Sequence, residues 1–419
     1  MDLKARLSRL QSQAGTSATA PTAATSGLRK RLAQLRPERL HTQTQRSSQA
    51  MPVAVLAEKL GGELLGDGLI RIRRQIPLVH RLGRIELQSL RDYSRLPGER
   101  DDTRQRHVYL DTETTGLSGG SGTLAFLVGL AVVKADCIKL TQFLLTRFAA
   151  EAALLAAIGT GLSQHDRLVS YNGKSYDLPL LHSRFRMQGM TSPFDGLPHL
   201  DLLHPVRRLF AGRWPDCRLT SLEQQLLGFT RSDDLPGSEA PAAWFSYIRD
   251  GQGEMLARVV DHNRQDIISL AVAHRALAQA IEQPHRYAVD LYALARWLAD
   301  TDSDAARRLL QSNENRLCND GKRLLGRLLR GAGDWQGAVK VWETLAAGGC
   351  HDSLERLAKY HEHISKDLAS ARHCCSLLPP GPQQRQRRTR IERKLQRQDA
   401  APGVHHAAGA SLPQGQRLL

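Results

Sequence analysis

HVYLDTETTGL (residues 107–117) runs a buried-strand stretch, Val108–Tyr109–Leu110, directly into two carboxylates, Asp111 and Glu113. Residues i and i+2 of a strand share a face, so the two acids stand side by side at the end of an apolar strand. Like charges that close raise each other's pKa unless a cation offsets them. Two distant segments can supply further acids to such a cradle. Asp177 follows the strand-like LVSY (168–171) in LVSYNGKSYDLPLL, at the start of an expected helix. Asp266 lies in VVDHNRQDIISL (259–270), within a long helix expected over about 254–282. On that helix His262 and Asp266 are i and i+4 and face the same way, while Val260, Ile267 and Leu270 can share the buried stripe.

Four converging carboxylates with no thiolates call for hard cations, Mg²⁺ or Mn²⁺, rather than a structural zinc. Two such ions roughly 4 Å apart activate a water and stabilise the leaving oxygen of an in-line phosphoryl displacement. His262 can take the proton from that water, since imidazole titrates near neutral pH. Each residue alone has a plainer reading: Asp177 as a helix cap, Asp266 as a solvated helix residue, His262 as a surface or core histidine. Their combination favours the metal set Asp111, Glu113, Asp177 and Asp266. Thr112, Thr114, Asn172 and Lys174 flank these acids and are the candidate substrate contacts. Asp201 reads as a cap or a partner for Arg207 or Arg208, outside the metal set. GLSGGSGT (116–123) lacks the lysine of a Walker loop and reads as a flexible turn near the substrate. Trp244, Phe245 and Tyr247 could stack bases, but a packed helix is the plainer expectation.

The chain of 419 residues has room for two or three domains. Residues 1–52 read as a basic disordered arm, 53–104 as a small preface with one helix and one strand, and 105–283 as the main domain. Strands are expected at 108–110, 124–133, 137–145 and 168–171, with helices near 150–160, after Asp201, and near 220–227. This order implies an α/β mixed sheet with flanking helices. Residues 286–378 then read as helix after helix. RLLGRLLRGAGDWQGAVKVWETLA and ERLAKYHEHISKDLASARHCCSLL align at a shift of 33 residues, pairing Leu324 with Leu357, Asp334 with Asp367, Ala338 with Ala371 and Trp342 with Cys375. That period resembles a tetratricopeptide (TPR) array, which implies a docked protein partner. Residues 379–419 read as a second basic disordered tail.

The net charge is +16, of which +7 falls in residues 1–50 and +6 in 381–419. Basic ends on a near-neutral body suit a polyanion. No run approaches the ~20 apolar residues of a membrane helix, and no apolar signal core opens the chain. Six scattered cysteines without a CxxC pair suit a reducing cytoplasm rather than a disulfide framework.

The ordered motifs YLDTETTGL, YNGKSYDLPLL and DHNRQDIISL resemble the DnaQ-like (DEDD) 3′–5′ exonuclease superfamily, whose fold is ribonuclease H-like. The basic lead, the TGLSGGSGT loop before AFLVGLA, the DLLHPVRRL run and the helical tail are similar to its YprB-type branch. The resemblance implies Asp111, Glu113, Asp177 and Asp266 as metal ligands and His262 as the base. His262 stands four residues before Asp266, the spacing of tyrosine-type members, whereas histidine-type members use five. The leading expectation is a two-metal 3′–5′ exonuclease on single-stranded DNA or RNA. A catalytically weak nucleic-acid-binding scaffold and a structure-selective endonuclease are the alternatives.

Overall fold

The computed structural model describes residues 50–92, 95–99, 106–116 and 122–399. The arm over residues 1–49 and the final residues 400–419 lie outside these, as does most of the glycine loop at 117–121. Helix α1 (Val53–Lys59) leads into β1 (Gly62–Leu64), β2 (Leu69–Pro77) and a small hairpin of β3 (Arg81–Leu82) and β4 (Ile85–Glu86). Then come β5 (Arg106–Thr114), β6 (Ala125–Val133), β7 (Cys137–Leu145), α2 (Glu151–Thr160), β8 (Asp166–Ser170), α3 (Asp177–Met187) and β9 (His199–Asp201). Helices α4 (Leu203–Phe210), α5 (Leu219–Leu222), α6 (Ala240–Asp250) and the 30-residue α7 (Gly253–Glu282) complete this part.

Seven strands form one sheet in the order β1-β2-β7-β6-β5-β8-β9. Antiparallel pairing runs from β1 to β5, and β5, β8 and β9 are parallel. The expected mixed α/β sheet with flanking helices is therefore present. One correction concerns residues 53–104, read from sequence as a separate preface. Strand β2 pairs with β7 from Leu69↔Leu145 to Pro77↔Cys137, so this segment extends the main sheet. Its alternation of apolar and charged residues in LIRIRRQIP matches a strand with one covered face.

Strand β5 divides its side chains between two cores. Val108 and Leu110 join one cluster and Tyr109 the other, which includes Ile267 and Leu270 of α7. The close approach of α7 depends on a glycine. Gly129 of β6 sits opposite Asp111 in the register, and a Cβ there would collide with Ile267 Cδ1 and Asn263 Oδ1.

The helical part comprises α8 (Leu291–Ala299), α9 (Ser303–Gln311), α10 (Asn319–Gly331), α11 (Trp335–Ala347), α12 (His351–His363) and α13 (Leu368–Ser376). The 33-residue shift has structural content. Asp334 and Asp367 cap α11 and α13 through the amides of Gly337 and Ser370, and Ala338 and Ala371 are fully buried. A third copy escaped the sequence comparison: Asp302 caps α9 through Ala305, followed by buried Ala306 and Leu310. It stands 32 residues upstream, so a search at one fixed period passes over it.

A second correction concerns the tail read as disordered from 379. Residues 382–399 form helix α14. Its Ile391 is buried with Ala371 and Cys375. Arg390 grips Glu362 at 2.6 and 2.7 Å and Lys394 reaches the same carboxylate at 2.7 Å. Charge density argued for disorder, but a buried acid on α12 supplies the counter-charge that local sequence does not show.

Gly129→Ala is expected to lose roughly 1–3 kcal/mol, the usual cost of overpacking, and to loosen α7. Urea melts and hydrogen exchange of α7 amides check this; an unchanged midpoint with unchanged exchange would contradict the close approach.

Candidate active site

Three elements meet where β5 ends. Asp111 and Glu113 come from β5, Asp177 opens α3 beyond the end of β8, and His262, Asn263 and Asp266 project from α7. Asn263 is fully buried and donates to Asp111 Oδ2 at 2.7 Å. Its own oxygen accepts from Gln142 of β7 at 2.8 Å, and Gln142 also donates to the Val260 carbonyl. Thr112 donates to Asp177 Oδ1. Gly173 leaves room for that aspartate, since a Cβ there would overlap Ser170 and press on Asp177 Oδ2.

His262 is held at both ends. Its Nδ1 lies 2.7 Å from Asp234 Oδ1, while Nε2 lies 3.6 Å from Asp266 Oδ2 and 4.0 Å from Glu113 Oε1. Asp234 and its neighbour Arg231 lie on the loop between α5 and α6, which the sequence reading passed over. Arg231 bonds Glu223 at 2.7 and 2.8 Å, Asp234 at 2.9 Å, and also Asp266. An isolated arginine in a polar loop gives no local signal of this role; only the fold brings it to α7.

The remaining candidates fall around this centre. Thr114 turns to the Gly116 carbonyl at 2.9 Å. Asn172 adopts a left-handed backbone at φ 67°, which asparagine tolerates. Its amide and that of Lys174 donate to the buried Asp201 at 2.7 and 3.1 Å. Asp201 also accepts from the Leu203 amide, but the N-cap of α4 is Leu202, so Asp201 is a loop anchor whose hydrogen bonds are to backbone amides rather than to Arg207 or Arg208. The Lys174 side chain is exposed. Trp244 is fully buried against Phe126, in keeping with a packed helix rather than a base platform.

Desolvation, then the charges of Asp266, Asp177 and Glu113, push Asp111 well above the usual carboxylate range, although the Asn263 bond works against this. Desolvation and Asp266 lead the causes that raise Glu113 to about 8. Desolvation raises Asp177 to about 6 despite the Thr112 bond. Burial opposes the charged form of Asp234, but His262 and Arg231 outweigh it and lower its pKa. Oxygen donors that repel one another this strongly fit a hard divalent cation, with Asp111, Glu113, Asp177 and Asp266 as the residues that could hold it. A different trio has its donor atoms tightly gathered, all within 4.8 Å: Glu99, His107 and His274, at the opposite end of β5. The sequence reading missed it, although His107 shares the face of Tyr109, Asp111 and Glu113.

The raised acids bind protons more tightly in the folded than in the unfolded chain. Their contribution to stability is therefore full below about pH 4 and is lost as pH rises through about 6 and about 8. Thermal melts of chelator-treated protein are expected to show that decline, and Glu113→Gln should flatten its upper part. A Glu113→Gln profile parallel to wild type would show that Glu113 is ordinarily ionised.

Comparison with known proteins agrees with this architecture. Residues 108–278 match the RNase H superfamily. The uncharacterized protein YprB of Bacillus subtilis (strain 168) is 33% identical over 280 residues, covering 63% of this chain and 66% of that protein, just under two-thirds. Residues 108–278, which carry every acid of the β5 cluster, thus form an RNase H-superfamily domain.

Proposed function

We propose that the protein is a metal-dependent nuclease, a 3′–5′ exonuclease of the DEDD type acting on single-stranded DNA or RNA. The observation that carries this reading is the aim of His262. Its Nε2 faces Glu113 and Asp266 while Asp234 engages Nδ1. With the Nδ1 proton donated to Asp234, Nε2 keeps a lone pair directed at the acids. It can accept a proton from an attacking water, and Asp234 then stabilises the imidazolium. This geometry supports histidine as the base at tyrosine-type spacing, because the loop carboxylate fixes the ring. When bound at Asp111, Glu113, Asp177 and Asp266, a pair of Mg²⁺ or Mn²⁺ ions would supply water activation and charge neutralisation at the scissile phosphate. Asn263 and Thr112 orient Asp111 and Asp177 from the side, and Arg231 offsets part of the negative charge at Asp266.

The repeated helix pairs, each with a capped second helix, support a TPR-like role in docking a protein partner. They also support the second reading, a nucleic-acid-binding scaffold with a weak catalytic centre. No helix among the described residues is long and apolar enough to cross a membrane.

With Mn²⁺ and end-labelled linear oligonucleotides, wild type is expected to release nucleotides from the 3′ end. Asp111→Ala should abolish release, and His262→Gln should slow it by roughly 10²–10⁴-fold, the usual worth of a general base. Asp234→Asn should lower the rate with little change in KM. Equal degradation by wild type and Asp111→Ala would eliminate the enzyme reading in favour of the scaffold. Cleavage of circular substrate would favour an endonuclease.

A further inference from the structure

Glu99, His107 and His274 converge from three segments: the loop before β5, the start of β5, and the second half of α7. Glu99 Oε1 lies 4.0 Å from His107 Nε2, and Glu99 Oε2 lies 4.0 Å from His274 Nε2. The imidazole rings stand edge to face, 5.0 Å apart at 83°. His274 is 4% exposed, and its Nε2 has no hydrogen-bond partner among the described residues. A buried nitrogen without a partner costs stability unless something satisfies it. His107 and His274 border a cavity of about 410 Å³ whose wall includes Arg91, Arg106, Lys134 and Arg275.

We propose that Glu99, His107 and His274 form a second metal site, distinct from the acid cluster, that takes a zinc-class divalent cation and ties α7 to the start of β5. Two imidazoles and one carboxylate are borderline donors, suited to Zn²⁺ and related late first-row ions rather than Mg²⁺. Bonds of ~2.0–2.1 Å to nitrogen imply donor separations of ~3.4 Å in a tetrahedral site, so each donor moves inward by well under 1 Å. The hydroxyl of Tyr109 lies 3.2 Å from His274 Nδ1. With Nδ1–H donated to that hydroxyl, Nε2 keeps the lone pair a metal needs. Glu99 is oriented by the Leu96 amide at 2.7 Å and Arg167 at 2.9 Å, and its remaining lone pairs stay available. Arg167 also places a positive charge nearby, which the carboxylate offsets. Burial, then His274, lowers His107 to about 4. Burial opposes the charged form of Glu99, yet the nearby His274, the Leu96 amide and Arg167 together lower it to about 2. Neutral imidazole and ionised carboxylate are the forms a metal requires.

The site is separate from the β5-end acids. His107 and Asp111 are four residues apart on one strand face, ~13 Å, and His274 and Asp266 are eight residues apart on α7, ~12 Å. An ion here would therefore fasten one end of the strand–helix contact whose other end carries the acids. This inference does not depend on the proposed nuclease reaction.

The test uses the full chain, stripped of metal and titrated with Zn²⁺. Wild type and Asp111→Asn/Asp266→Asn are both expected to retain one tightly held zinc by elemental analysis and to melt several degrees higher with it. His107→Gln/His274→Gln should bind at least 100-fold more weakly and lose the shift. Cobalt substitution should give visible absorption bands in the first two proteins only. If the double histidine variant fails to fold by circular dichroism, Glu99→Gln takes its place with the same expected loss. Zinc affinity that is unchanged by these substitutions, or absent from Asp111→Asn/Asp266→Asn, would overturn the site and leave only a histidine–glutamate pair.

Discussion

The seating of α7 on the sheet is the constraint on which the remaining structure rests. A single missing side chain, at Gly129, lets Asn263 reach Asp111 across the β5–β6 pair. Behind Asn263 stands Gln142, itself fully buried. Gln142 directs its amide nitrogen to Asn263 and to the Val260 carbonyl, while its own Oε1 has no partner among the described residues, so the chain carries the cost of one unpaired group in a low dielectric. The amide chain transmits position: moving α7 by an ångström would break three hydrogen bonds and displace the groups that face the acids. Shape and polarity act together here, and neither alone would specify the register between helix and strand.

That seating also creates an electrostatic problem. Bringing α7 to β5 sets Asp266 against Asp111 and Glu113, and the fold compensates only in part. Arg231 answers Asp266 and Glu223, and its own pKa is raised by these partners against the cost of burial. Arg231 offsets the neighbouring acids at Glu113 only in part, and burial with those acids pushes both Asp111 and Glu113 upward. A structural core would replace such groups with apolar ones of the same volume at little cost. Their presence at the mouth of the sheet supports the proposed cation site.

Much of this was legible in the sequence, and the reason is local. Strands β5, β6, β7 and β8 carry apolar runs and helix α7 a helical apolar stripe, and the paired acids stand next to one such run. The long helix announced itself through Val260, Ile267 and Leu270, so the face shared by His262 and Asp266 could be read as well. What escaped were relations between segments without periodicity. Arg231 and Asp234 sit in a loop whose composition resembles any other. Asn263 lay within a quoted motif, yet its importance follows from Gly129, more than a hundred residues away. Glu99, His107 and His274 come from three segments that only the tertiary fold brings together. The third helix pair was hidden by one residue of drift in the repeat.

The basic C-terminal segment shows how far charge counting can carry a functional argument. Read as a free polyelectrolyte, residues 381–419 offer +6 to a nucleic acid. Within α14, however, Arg387 bonds Glu355 and Arg388 bonds Glu392, while Arg390 and Lys394 share Glu362. Glu362 is held at about 2 chiefly by Arg390, and Glu355 at about 2 by Lys359 on its own helix and then by Arg387. Four of the cations thus serve the fold, and a phosphate backbone would have to compete with carboxylates already in place. Arg385, Arg393 and Arg397 remain exposed on the same helix. Counterion release scales with the phosphates actually neutralised, so this helix contributes a smaller salt dependence to nucleic-acid binding than its composition implies.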